Sequence, residues 1–262
     1  MPITLSEQVR RLSQVEFGEL AFEVMRNVFA IHNELGRFFN EEIYKQELAY
    51  RMADVRLEVP IDVVFGSFQK RYFIDALVGQ GGVFEFKAVE KLAGPHRAQL
   101  LNYLLLCELE HGKLINVRPE SVEHEFVNTH WRHADRVGVV VDSSRWNSSV
   151  PGADRLFNFL FSVLQDLGAG LEIALYEEAI VHFLGGPSNV EADIQVSLSQ
   201  RKIGSQRMRL VAPGVAFKLT GFHDRLDAFE EHSRRLLTHL DLHAIAWVNI
   251  HVKHVTFTTI QR

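Results

Sequence analysis

The sequence predicts an α+β fold, built as two tandem copies of one unit of helices and strands. In the first half, a helical pattern is followed by three strand patterns, a helix and a further strand. In the second half, a stretch that begins at Gly168 repeats the pattern that begins at Gly36. The chain has 262 residues, 47% of them hydrophobic, which is ample for one large or two small packed domains.

Three segments of the first half have helical patterns. Between Val15 and Leu35, apolar residues recur three and four apart, and Gly36 ends the pattern. A second helix is predicted from about Asn40 to Ala53. A third begins at Gly94 and carries an apolar face of leucines.

The strand patterns of the first half are short and bounded by turn residues. They cover residues 55–65, 71–78, 83–89, 113–117 and 122–127. Three glycines between the second and third runs predict a tight antiparallel hairpin, which would bring Asp75 beside Glu85.

The net charge of −5 argues against a protein that coats nucleic acid, since such proteins have a basic footprint. Residues 131–262 are balanced in charge, so the whole excess of acids lies in the first half. The sequence has neither an apolar run of membrane-spanning length nor the apolar stretch of a signal peptide near its start. We therefore expect a cytoplasmic protein with no membrane partner.

The hairpin carries the chemistry of the first half. Glu85 and Lys87 are two apart on a strand and share a face, while Phe84 and Phe86 point into the core. With Asp75 added, two carboxylates and an ammonium would meet. Carboxylate oxygens suit a hard cation such as Mg²⁺ or Mn²⁺, and this combination is typical of metal-assisted phosphodiester hydrolysis.

These residues resemble the PD-(D/E)XK nuclease superfamily. Asp75 followed by Glu85-x-Lys87 is similar to its signature, and Gln99-x-x-x-Tyr103 looks like the helix motif of RecB-type members. The resemblance implies a restriction-endonuclease-like αβββαβ core in the first half of the chain.

Within the superfamily, the sequence resembles the GxxExxY branch most. Glu41 and Tyr44 stand where that branch has its glutamate and tyrosine. Phe38 replaces the glycine that gives the branch its name, so the loop before Glu41 departs from the pattern.

The resemblance implies a role for each of these residues. Asp75 and Glu85 would hold Mg²⁺ or Mn²⁺, Glu41 would complete the ligand set, and Lys87 would position the attacking water. The residues implied to orient the site or bind the strand are Gln99, Tyr103 and Tyr44. The implied substrate is nucleic acid, DNA in preference to RNA.

The second half is predicted to be a degenerate copy. We expect domains at 1–135 and 150–262, joined by the polar stretch Asp142–Gly152. Ala216 stands at the place of Glu85 and Lys218 at that of Lys87, and residues 194–223 contain neither Asp nor Glu. A pseudo-dimer within one chain, or a homodimer, would result; an unrelated α+β second half is the alternative.

The notable basic cluster of the second half supplies candidate contacts to a phosphate backbone, or a solvated hairpin. Its members are Arg201, Lys202, Arg207 and Arg209. The alternative to a nuclease is a non-catalytic module in which a nuclease-like fold binds nucleic acid or a protein.

Overall fold

The computed structural model describes residues 2–262, which form two compact units divided between residues 133 and 134. Both units mix helices with a six-stranded sheet. Within residues 2–262, no helix is both long and apolar enough to cross a membrane.

The first unit contains three helices and six strands. In chain order they are β1 (Ile3–Leu5), α1 (Gln14–Leu35), α2 (Glu41–Arg51), β2 (Val55–Phe65), β3 (Phe68–Val78), β4 (Gly82–Lys87), α3 (Gly94–Cys107), β5 (His111–Asn116) and β6 (Glu123–Asn128). The strands follow one another across the sheet in numerical order. The β4–β5 pair is parallel, because α3 connects those two strands, and the other pairs are antiparallel.

Helix α1 begins at a capping box and covers one face of the sheet. The Ser13 hydroxyl accepts a hydrogen bond from the Glu16 backbone N–H, and the Glu16 carboxylate accepts one from the Ser13 N–H at 2.8 Å. Phe17 then packs against Phe84 of β4, with ring centroids 5.8 Å apart. The phenylalanines of β4 therefore lie in the core beneath α1, as the alternation along β4 predicted.

Helix α3 lies close against β5 because a glycine permits it. A Cβ added at Gly112 would lie 3.0 Å from the Leu100 side chain of α3. A larger residue at Gly112 would require the Leu100 side chain of α3 to shift by a few tenths of an ångström.

The second unit has the same sequence of elements, with two short helices added. They are α4 (His133–Val137), β7 (Val140–Arg145), α5 (Ala153–Leu167), α6 (Ile173–Phe183), α7 (Pro187–Val190), β8 (Glu191–Leu198), β9 (Arg201–Ala212), β10 (Val215–Thr220), α8 (Leu226–His239), β11 (Ala244–His251) and β12 (His254–Gln261). The sheet order is β7-β12-β11-β10-β9-β8. The strands before and after α8 are parallel, like those before and after α3.

Part of the predicted connection is a strand. Residues 142–145 of the expected linker belong to β7, which pairs in parallel with β12. The prediction of a linker at residues 142–145 is therefore wrong, and the reason is that β7 is an edge strand. Its side chains are largely exposed, so its sequence is as polar as that of a loop.

Candidate active site

The candidate site lies where β3 and β4 separate. The two strands pair over only three positions, the last of them Ala76 with Phe84. Asp75 and Glu85 are the next residue on each strand. The Oδ2 atom of Asp75 accepts a hydrogen bond from the Phe86 backbone N–H at 2.8 Å, which holds this carboxylate in the gap between the strands.

Glu85 is a buried acid with one unsatisfied oxygen. It is 1% exposed, and its Oε1 accepts a hydrogen bond from Lys87 Nζ at 2.6 Å. Among the described residues, no group donates to its Oε2. Burial, followed by repulsion from Asp75, raises the pKa of Glu85 to about 8, although Lys87 opposes the shift. Such an oxygen, buried beside a second carboxylate, is suited to a cation.

Glu41 brings a third carboxylate to this cluster from the first turn of α2. Burial raises the pKa of Glu41, the charge of Asp75 adds to the shift, and Lys87 and Lys45 oppose it. The Ala88 backbone N–H, just beyond β4, donates a hydrogen bond to the Glu41 side chain. The end of α2 that carries Glu41 is therefore tied to the strand that carries Glu85.

Lys45 is a member of the site that the sequence analysis missed. Its buried Nζ donates to Asp75 Oδ1 at 3.0 Å and to the Glu58 carboxylate, and forms an ion pair with Glu42 at 3.1 Å. Burial alone would lower the pKa of Lys45, but these three acids raise it above its ordinary value. Lys45 lies one helical turn beyond Glu41, and this spacing of four was the available signal.

Glu58 is strained, and it too was missed. It stands opposite Asp75 on the β2–β3 ladder, between the paired positions Leu57–Ala76 and Val59–Ile74. Its φ of 51° is left-handed, a conformation that costs a non-glycine residue about 1–3 kcal/mol and is concentrated at functional sites. Glu58 bonds to Lys45 from this conformation, which a regular strand pattern does not reveal.

Tyr44 holds a loop instead of facing the carboxylates. Its buried hydroxyl donates to the Gly36 carbonyl oxygen at 2.5 Å and accepts a hydrogen bond from the Phe39 backbone N–H. Both partners belong to the loop between α1 and α2. Tyr44 thus fixes the approach of the chain to Glu41 and acts on the site indirectly.

Gln99 and Tyr103 are brought together on α3. Gln99 Nε2 donates to the Tyr103 hydroxyl at 2.8 Å. The buried Tyr103 ring packs edge-on against Tyr72 of β3, with centroids 6.1 Å apart. The pair therefore links α3 to the strand of Asp75.

The four cations of the predicted basic cluster in the second unit have different surroundings. Arg207 pairs with Glu191 at 2.8 Å, and Arg209 pairs with Glu177 at 2.7 Å and with Glu191 at 3.5 Å. Arg201 and Lys202 are exposed at the start of β9. Two of the four cations are thus engaged by acids of their own unit, which reduces the charge available to a phosphate backbone.

The two units share an asparagine bridge beside the parallel strand pair. In the first unit, the Asn116 amide donates to the Val89 carbonyl at 2.8 Å and accepts from the Val89 N–H at 3.0 Å. In the second unit, the Asn249 amide donates to the Phe222 carbonyl at 3.0 Å and accepts from the Phe222 N–H at 2.8 Å.

The position of this bridge gives a different residue-by-residue match between the two halves from the one that the sequence predicted. The strand residue paired with the bridging asparagine is Lys87 in the first unit and Thr220 in the second. Counted from the bridging asparagine, Lys218 stands at the position that Glu85 has in the first unit, two residues away from the position of Lys87 at which the sequence analysis put it. The prediction aligned the two lysines, whereas strand pairing sets the register.

An ion-pair cluster is also repeated, with its charges exchanged. In the first unit, a cation on α2, Lys45, binds the acid of β3, Asp75. In the second unit, an acid on α6, Glu177, binds a cation on β9, Arg209. In both units the third member is a glutamate on the neighbouring strand.

The oxygen donors fit a divalent cation in chemistry, but they are not assembled around one. Within residues 2–262, no three His, Cys, Asp or Glu side chains already form a group that could hold a metal ion. Instead, lysine ammonium groups contact Asp75 and Glu85. Hard oxygen donors and the unsatisfied Oε2 of Glu85 match the preference of Mg²⁺ and Mn²⁺.

A family model of the PD-(D/E)XK nuclease superfamily matches residues 18–128. The match begins in α1, ends with β6 and includes all the acids and lysines of the candidate site. No curated protein and no solved structure gives a significant match to the chain. The match suggests a nuclease-like function for the first unit.

Proposed function

We propose that the first unit is a nuclease that hydrolyses phosphodiester bonds with the help of Mg²⁺ or Mn²⁺. The observation that carries the proposal is the buried Glu85 carboxylate, whose Oε2 has no donor among the described residues, beside Asp75 and Glu41. The charge of Asp75 contributes to the raised pKa of both Glu41 and Glu85, and such repulsion favours a cation between the three acids. The superfamily match over the same residues supports the same chemistry.

In this proposal each side chain has a separate task. Asp75, Glu85 and Glu41 hold the cation through their carboxylate oxygens. The bound ion would polarise the phosphate and lower the pKa of a bound water. Lys87, with Nζ 2.6 Å from Glu85 Oε1, orients the attacking water and offsets the negative charge that develops on the phosphate. Lys45 holds Asp75 by donating a hydrogen bond to its Oδ1 atom.

The proposed substrate is nucleic acid, with DNA preferred to RNA. Gln99 and Tyr103 keep α3 in place against the strand of Asp75 and so orient the site. The exposed cations Arg201 and Lys202 remain candidates for contacts to the phosphate backbone. Their replacement by alanine should weaken binding more at low than at high salt, because counterion release governs such contacts.

We further propose that the second unit arose by duplication of the first. The asparagine bridge, the order of elements and the exchanged ion pair support this origin. A fourth correspondence is the loop tyrosine. Tyr176 donates to the Gly168 carbonyl at 2.6 Å, as Tyr44 does to that of Gly36.

The second unit is proposed to have lost the chemistry. Lys218 corresponds to Glu85, and Arg209 takes the part of Asp75 in the ion-pair cluster. Two cations at these positions would repel a divalent metal ion. The second unit would then contribute a surface or add stability to the protein, and the first unit would carry out the reaction.

A non-catalytic binding module is the second candidate. The observation in its favour is that Lys45 Nζ contacts Asp75 and Lys87 Nζ contacts Glu85, so an ammonium group already lies against each acid without a metal ion. This candidate requires that the metal never displaces the lysines.

A cleavage assay tests the proposal. Labelled single-stranded and duplex DNA and RNA are incubated with the full chain in Mg²⁺, Mn²⁺ or EDTA. We expect cleavage that EDTA abolishes, and that Asp75→Asn and Glu85→Gln each abolish because a neutral amide replaces a charged ligand. Lys218→Gln is the matched control in the second unit and should leave cleavage unchanged. If binding occurs without cleavage in any metal, the non-catalytic module is the correct function.

A further inference from the structure

The loop that leads to Glu41 exposes two adjacent aromatic side chains. Phe38 is 78% exposed and Phe39 is 48% exposed, and they lie between α1 and α2. Phe39 is only two residues from Glu41, so their Cα atoms are at most about 7 Å apart. Two large apolar side chains are thus exposed to solvent on the loop that leads to Glu41, one of the proposed catalytic acids.

This loop is held in place. The Tyr44 hydroxyl bonds to the Gly36 carbonyl and to the Phe39 N–H, and the Gly36 N–H donates to the His32 carbonyl at 2.8 Å. Gly36 has a φ of 74°, which ends α1 at this point. Because the backbone is fixed at both ends, the exposure of the two rings is a property of the fold.

The second unit shows that the loop does not require exposed aromatic residues. There Tyr176 makes the same bond to Gly168, and its hydroxyl accepts from the Leu171 N–H at 3.2 Å. The residues at the places of Phe38 and Phe39 are Gly170 and Leu171, and Leu171 is only 4% exposed. The second unit therefore buries the side chain at the place of Phe39, whereas the first unit presents two rings to solvent.

Positive charge accompanies the rings. The Arg37 guanidinium lies over the Phe38 ring, 5.2 Å from its centroid. The positive charge of Arg118 acts to lower the pKa of Tyr44, and the Arg118 Nε donates a hydrogen bond to the Ala88 carbonyl at 3.4 Å. Aromatic faces next to guanidinium groups are what proteins use to stack bases while neutralising the adjoining phosphates.

We infer that Phe38 and Phe39, with Arg37, form a base-stacking platform, and that the substrate has unpaired bases at the site of cleavage. The inference rests on the proposed function and specifies its substrate class. Bases inside a duplex are stacked on each other and cannot lie on a protein ring, whereas those of a single strand can. The platform would place the phosphate that follows a stacked base near Glu41, Asp75 and Glu85.

Fluorescence anisotropy tests this inference with the full chain in Ca²⁺ and three labelled DNA probes. The probes are a single-stranded 12-mer, its blunt duplex, and a single strand with abasic sites throughout its centre. The double variant Phe38→Ala/Phe39→Ala is compared with Phe22→Ala, which removes another exposed phenylalanine, 74% exposed on α1. Thermal melts confirm that both variants are folded.

We expect the double variant to bind the normal single strand about 5- to 140-fold more weakly, as the loss of one stacked base predicts. The abasic strand should bind the wild type and the double variant equally, and Phe22→Ala should behave as the wild type. If the double variant binds and cleaves single strands as the wild type does, the inference is overturned and the proposed nuclease stands. If the wild type neither binds nor cleaves any probe, the proposed function fails as well. Loss of binding to a protein partner instead would identify the rings as a protein contact and overturn the inference.

Discussion

Replacing the buried Glu85 with glutamine should change how the stability of the first unit depends on pH. Folding raises the pKa of Glu85 from 4.5 to about 8, chiefly through burial. Between these two values the folded chain keeps a proton that the unfolded chain has released. Stability linked to this group is therefore fully present below pH 4.5 and is lost as the pH rises through about 8.

The size of the effect follows from the same shift. The difference between 4.5 and about 8 corresponds to about 5 kcal/mol, which is large beside the total stability of a domain. Glu85 is almost fully buried, so solvent screening reduces this value little. Glutamine has a similar shape and cannot ionise. Glu85→Gln should therefore have similar stability at pH 5 and exceed the wild type by several kcal/mol at pH 9.

Amide hydrogen exchange of β4 and β5 in EDTA measures this difference for the first unit alone. Lys218→Gln serves as the matched variant in the second unit and should leave the pH dependence of β4 unchanged. Mg²⁺ should remove most of the loss at pH 9, because the cation stabilises the ionised carboxylate. A constant difference between Glu85→Gln and the wild type from pH 5 to pH 9 would refute the reasoning.

Three further predictions concern the lysines and the loop tyrosines. Lys45→Met should tighten Mn²⁺ binding, measured by calorimetry, because the ammonium group of Lys45 occupies Asp75 Oδ1 and repels the ion. An unchanged affinity for Mn²⁺ would leave Lys45 a role in folding only. Lys87→Ala should lower the turnover number more than the affinity for Mg²⁺, since an ammonium assists the water and the phosphate; unchanged turnover in steady-state kinetics would make Lys87 structural. Tyr44→Phe and Tyr176→Phe should each destabilise their own unit by about 0.5–1.5 kcal/mol, because each removes a hydrogen bond to a loop carbonyl. Hydrogen exchange of the two units separates the effects, and a loss in the other unit would contradict the assignment.

Local patterns in the sequence predicted most of the first unit. The predicted strand 55–65 coincides with β2, and the helix from Val15 to Leu35 begins within one residue of α1. Periodicity identified these elements because each has one buried and one exposed face. The separation of β3 from β4 was not predictable in this way, since it depends on the side chain of Asp75 bonding to the backbone of β4.

The residues that the sequence analysis missed depend on contacts between distant elements. Lys45 looks like a surface lysine of an amphipathic helix, and its burial follows from meeting Asp75 and Glu58 across the fold. The left-handed backbone of Glu58 has no signature in a strand pattern. In the second unit, the lysine of β10 suggested a register that the Asn249 bridge contradicts.

Calorimetric titration of the full chain with Mn²⁺ at pH 8.5 tests the central claim, that the acids of the first unit hold a divalent cation. That pH lies above the raised pKa of Glu85, about 8, and so favours the ionised carboxylate. The account predicts saturable binding by the wild type, its loss in Asp75→Asn and Glu85→Gln, and its retention in Lys218→Gln. Equal Mn²⁺ binding by Glu85→Gln and the wild type, or no binding by the wild type with or without a single-stranded oligonucleotide, would contradict it.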